Sequence, residues 1–139
     1  MIQFTVYGNP QAQGRPRAGR TRTGRVIVYD PTASKHYKHQ VGWVASEHRP
    51  PELIESAVSL TVKVYRPIPS TWSKKKQERA EKGELLPTSK PDLSNYIKGI
   101  EDAIEGIILK NDSQVVDYGD SCKRYGKEPR IEILIREVG

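Results

Sequence analysis

Cysteine is nearly absent: Cys122 stands alone in 139 residues, which excludes an intramolecular disulfide and a cysteine zinc site. His36, His39 and His48 stand at neither metalloprotease nor zinc-finger spacing. Aromatic residues make up only 7% of the chain, too few for the stacking platforms with which binding modules hold single strands. No apolar run is long enough to cross a membrane. The opening residues Met-Ile-Gln-Phe-Thr-Val-Tyr alternate polar and apolar without a basic region before them, so they read as a strand and not as a leader. A reducing, cytoplasmic setting with no membrane partner is expected. There is no internal repeat, and the length fits a single domain over 1–139.

The chain is 35% hydrophobic and 29% charged, the balance of a soluble fold with a modest core. Lys and Arg number 23 against 17 Asp and Glu, a net charge of +6 that attracts polyanions.

Hydrophobic period assigns the elements. Ile2, Phe4 and Val6 alternate in a first strand, and Arg25 to Tyr29 forms a second, with a loop from Gln11 to Gly24 between them. Pro31 and Thr32 open a helix to about Glu47 with Tyr37, Val41 and Val44 inward. Val58, Leu60, Val62 and Val64 alternate in a strand stopped by Pro67. A charged helix from Lys74 to Glu84 follows, capped by Ser73. Leu93, Ile97, Ile100, Ile104 and Ile107 recur at helical spacing, which leaves Asn95, Lys98, Asp102 and Glu105 on the opposite face. Val115 and Val116 belong to a strand, and Ile131, Ile133 and Ile135 alternate in the last one. The order β-β-α-β-α-α-β-β implies an α+β fold, a small mixed or antiparallel sheet covered by helices.

Two segments concentrate chemistry: Lys90-Pro91-Asp92-Leu93-Ser94-Asn95-Tyr96-Ile97-Lys98, and Asn111-Asp112-Ser113-Gln114-Val115-Val116. Each has an ordinary reading. Asp92 or Ser94 suits a helix cap, Lys98 and Asp102 suit an i,i+4 surface pair, and Asp112 suits a turn. Together the segments resemble the RusA family of Holliday junction resolvases, in which an Asp-x-Asp-Asn-x-x-Lys motif opens a helix and an acidic pair follows before Gln and an apolar strand. Asp92, Asn95, Lys98 and Asp112 occupy those positions. Gly8-Asn9-Pro10, Arg15-Pro16-Arg17 and Trp72-Ser73-Lys74-Lys75-Lys76 extend the likeness over most of the chain.

The resemblance implies a RusA-like fold and a homodimeric endodeoxyribonuclease, dependent on Mg²⁺ or Mn²⁺, that cuts four-way DNA junctions in recombination and repair. It makes Asp92 and Asp112 metal ligands, with Lys98 at the scissile phosphate and Asn95 in support. Two positions depart from the pattern: Ser94 replaces the second Asp, and Asn111 the first of the acidic pair. A hydroxyl is a weaker Mg²⁺ ligand than a carboxylate, so either Asp102 completes the shell or Ser94 serves in the site. Phosphodiester hydrolysis agrees with such a cluster, because bridging cations reconcile acids with a polyanionic substrate.

Arg15, Arg17, Arg20 and Arg22 lie in a glycine-rich stretch suited to phosphate contacts, or simply to a solvated loop. Lys74, Lys75 and Lys76 form a second basic patch, diluted by Glu78, Glu81 and Glu84. The alternatives from the residues are a nuclease for other DNA structures, or a branched-DNA-binding protein catalytically weakened at Ser94.

Overall fold

The computed structural model describes residues 1–13 and 35–139 fully, and the backbone of 17–20, 26–29 and 32–34. The strands are β1 (Ile2–Tyr7), β2 (Arg17–Arg20), β3 (Val26–Tyr29), β4 (Val58–Pro67), β5 (Val115–Asp117), β6 (Cys122–Gly126) and β7 (Arg130–Glu137), and the helices are α1 (Thr32–Ser46), α2 (Lys74–Glu81) and α3 (Leu93–Ile104). The fold is α+β, as the element order implies. Its five-stranded sheet runs β1-β7-β4-β5, with β6 also paired to β4, and β2 and β3 form a separate two-stranded sheet. The sheet is mixed, since β1, β7 and β4 are antiparallel while β5 and β6 join β4 in parallel.

Register turns the alternating patterns into rows. Ile135 stands between Ile2 and Leu60, Ile133 between Phe4 and Val62, and Ile131 between Val6 and Val64. Side chains of a strand alternate between its faces, so these rows share one face. They form the core with Tyr37, Val41 and Ala45 of α1 and with Ile97, Ile100 and Ile104 of α3. Each fully buried Val, Leu or Ile contributes about 1.5–3 kcal/mol of hydrophobic stabilisation.

Other elements differ from the period reading. β2 lies within the expected loop, and β6 is an additional strand. α2 ends three residues earlier than its charge pattern indicates: Gly83 takes φ 82°, and the amides of Gly83 and Glu84 bond back to Ala80 and Arg79 at 3.1 and 2.9 Å. α3 stops at Ile104 instead of continuing to Ile107, because Gly106 adopts φ 83° and the amides of Ile107 and Ile108 both return to the Ile104 carbonyl. Ile108 and Leu109 then drop fully into the core.

The far face of β4 is also covered at one place. Ser59 and Thr61 are buried, although alternation points them to solvent. The segment from Asp117 to Ser121 crosses them: Ser59 Oγ donates to Asp117, and the Val62 amide donates to Ser121 Oγ at 2.9 Å. No described helix is long and apolar enough to cross a membrane.

Candidate active site

α3 carries most of the site. Asp92 is its N-cap residue, with extended backbone, but its side chain makes no capping hydrogen bond and is exposed. Ser94, Asn95 and Lys98 follow within two turns and line one hollow of about 360 Å³ with Gln13. The Gln13 amide donates to the Asn95 carbonyl at 3.3 Å.

Lys98 is the centre of the charge arrangement. Its Nζ lies 2.9 Å from Asp112 Oδ2 and 3.4 Å from Asp102 Oδ1. Hydrogen bonding to Asp112, and then the charge of Asp102, holds its pKa well above the ordinary lysine value. Lys98 is therefore an ammonium between the two carboxylates. Asp102, Asp112 and Glu105 each place a carboxylate oxygen within 4.8 Å of the other two. Unit charges at such range repel by roughly 1 to 4 kcal/mol, depending on the effective dielectric, and one ammonium does not neutralise three acids. The donor set is all carboxylate oxygen, which fits a hard divalent cation such as Mg²⁺ or Mn²⁺.

Asp112 is positioned by its own turn. Asn111 Oδ1 accepts from the Ser113 amide at 2.9 Å, while Gln114 Oε1 accepts from the Asn111 amide at 2.7 Å, a reciprocal capping box. Gln114 Nε2 then donates to the carbonyls of Ile54 and Ser56 at 2.7 and 2.9 Å. Asn111 thus acts as the turn's cap, a role for which its amide suits as well as an acid.

Two further groups border the site. Glu101 is buried on α3, and Tyr118 donates its hydroxyl to Glu101 Oε1 at 2.8 Å. That hydrogen bond first, and burial second, raises the Tyr118 pKa. Asp117 is held below the ordinary carboxylate value, chiefly by Ser59 and then by the Gly119 amide.

Of the residues expected from sequence, the structure brings Lys98, Asp102 and Asp112 together. Asp92 precedes Asp102 by ten residues, about 15 Å along a helix axis, and it is not one of the clustered acids. Ser94 and Asn95 lie beside Lys98. Glu105, Glu101 and Tyr118 were not marked as site residues by the sequence. Glu101 had a signal, a charge four residues from Ile97 and one from Ile100 on the buried stripe, whereas Tyr118 had none.

The basic segments are placed unequally. Arg15 and Arg22 fall outside the described residues, and for Arg17 and Arg20 only the backbone of β2 is described. Lys74, Lys75 and Lys76 open α2, where Ser73 Oγ accepts from the Lys76 amide at 3.2 Å. Lys76 Nζ sits 4.1 Å from the centre of the Trp72 ring, and Trp72 meets Tyr125 of β6 edge-on at 5.3 Å. Lys123 of the same strand donates to the carbonyls of Ser89 and Pro91 at 3.1 Å, so β6 links α2 to the entrance of α3.

The site is thus a cluster of carboxylates around a lysine on a small α+β domain, a donor set of the kind that suits a hard divalent cation. The chain belongs to the RusA endodeoxyribonuclease family: the family model for Endodeoxyribonuclease RusA matches residues 7–136, nearly its whole length. It is also similar to the protein named "Uncharacterized protein YqaN" from Bacillus subtilis (strain 168), at 57% identity over 139 residues, covering 99% of this chain and 96% of that relative.

Proposed function

We propose that this protein is a metal-dependent endodeoxyribonuclease that resolves Holliday junctions by paired, symmetric phosphodiester hydrolysis in DNA recombination and repair. The observation that carries the reading is Lys98, held as an ammonium between Asp112 and Asp102 with Glu105 alongside. Family membership supplies the substrate class.

Asp112 and Asp102 would hold Mg²⁺ or Mn²⁺, with Glu105 as a further carboxylate. When bound, such an ion lowers the pKa of water and neutralises charge on the phosphoryl and leaving oxygens. Lys98, as an ammonium, would donate hydrogen bonds to the phosphoryl group as its charge grows. Asp92, at the entrance of α3, would be a further carboxylate ligand, as the family motif implies. Ser94 presents a hydroxyl in the same hollow as Lys98, and Asn95 supports that wall. Arg15, Arg17, Arg20 and Arg22 contact DNA phosphates, as do Lys74, Lys75 and Lys76. Two symmetric incisions need two such sites, which a C₂ homodimer provides.

A synthetic four-way junction, compared with matched duplex and flap substrates with and without Mg²⁺, tests the reading. Mg²⁺-dependent paired cuts confined to the junction are expected. Equal cutting of all three would make the protein a general nuclease, and junction binding without cutting would make it a binding protein.

A further inference from the structure

Among the described residues, two buried side-chain atoms have no hydrogen-bond partner: Tyr37 Oη on α1 and Gln13 Oε1 on the strap preceding β2. They belong to one place. Tyr37 and Gln13 line the same hollow of about 20 Å³, with Val41, Gly99 and Ile100. Tyr37 is only 8% exposed, Gln13 is partly buried, and both unpartnered atoms are shut off from solvent. A buried polar group left unsatisfied costs its full desolvation.

The two atoms define what fits between them. The amide oxygen can only accept, so the occupant must donate to it, while the phenol can donate or accept. An anion cannot donate to the amide oxygen, an apolar molecule satisfies neither atom, and a hollow this small, lined in part by Val41 and Ile100, has no room to solvate a cation. The hollow has room for one water molecule.

The location gives the bridge a consequence. The Gln13 amide donates to Asn95 O at 3.3 Å, and Gly99 permits that approach, since a Cβ there would come 3.2 Å from Gln13 N. On its other side Gln13 lines the hollow that holds Ser94, Asn95 and Lys98. We propose that one ordered water links Tyr37 Oη to Gln13 Oε1, and that this link makes Tyr37 a positioning residue, which holds Gln13 as a wall of the hollow beside Lys98. Only the DNA-binding arm of the test rests on the nuclease reading.

A high-resolution crystal structure is expected to show water density within hydrogen-bonding distance of both atoms. Direct contact between the side chains, or no density, overturns the bridge. Tyr37→Phe and Gln13→Met should each lower the melting temperature by about 3 °C, and the double variant also by about 3 °C, because one water carries both effects. Additive losses of about 6 °C overturn it independently. Junction binding measured in EDTA should weaken roughly threefold in Tyr37→Phe, with kcat in Mg²⁺ unchanged. Unchanged affinity beside a lowered melting temperature overturns the positioning role. Should the wild-type protein bind no junction, the nuclease reading fails, while crystal and melting data still decide the bridge.

Discussion

Lys98 sets two opposite requirements at a single position. Its ammonium offsets the charges of Asp112 and Asp102, and under the proposed function it also meets the phosphate. Lys98→Ala should therefore lower single-turnover cleavage by about 10²-fold or more, while the Mg²⁺ concentration for half-maximal cutting stays level or falls. A Mg²⁺ titration of the variant checks both. A steep rise in the Mg²⁺ requirement would mean that the lysine organises the ligands instead. Asp112→Asn and Asp92→Asn should each abolish cutting and keep junction binding in a gel-shift assay. Asp112 sits among the acids, whereas Asp92 stands apart from them, so an active Asp92→Asn enzyme would move the catalytic centre wholly to the Lys98 end of α3. Ser94→Asp should lower the Mg²⁺ requirement if the hollow lacks one ligand, and should change little if Asp102 or Glu105 already completes the shell.

The segment between β5 and β6 shows how closely an element can be specified by one residue. Gly119 has φ 49°, and a Cβ there would clash with Thr61 Oγ1. Gly119→Ala should destabilise the protein by about 1–3 kcal/mol, read from urea unfolding, and adding Thr61→Ala should recover part of that loss. None of this was legible from period alone. The sequence showed β1, β4, β7 and the inner stripe of α3, since each buries apolar side chains at a regular interval. β6 was hidden because Cys-Lys-Arg-Tyr-Gly has no apolar alternation: it is a strand because β4 offers it hydrogen bonds. The end of α3 was hidden because Ile107, Ile108 and Leu109 continue the apolar pattern beyond Gly106. In the site, Asp112 and Lys98 were legible through their motifs. Glu105 was not, because its nearness to Asp112 arises from the tight turn at Gly106 and the path of the chain back toward α3.

At the scale of the whole molecule, charge and pH make separate tests. Replacing Arg15, Arg17 and Arg20 by Ala should flatten the salt dependence of DNA binding by about 3 units of log-log slope, measured from 50 to 200 mM salt by fluorescence anisotropy. An unchanged slope would assign those arginines to solvent. Burial first, and Tyr96 second, raises the Tyr37 pKa above its ordinary 10.0. The neutral phenol is thus favoured in the folded state, so its contribution is complete below pH 10 and drains away above it, as the unfolded chain begins to bind fewer protons than the folded one. Chemical denaturation between pH 8 and 11 should show stability falling on the alkaline side, and Tyr37→Phe should reduce that fall.

The sheet's two borders are unequal. Beyond β4 lie β5 and β6, strands of 3 and 5 residues interrupted by the crossing at Ser121, while β1 presents 6 uninterrupted residues at the other end. Short, broken strands make poor templates for further pairing. A fibre that grows by strand addition needs a good template on both sides of every copy, and the five-stranded sheet has one. Pairing of this sheet through β1 would join two copies and then stop, so the same broken border that shapes the site also keeps the sheet from seeding open-ended polymerisation.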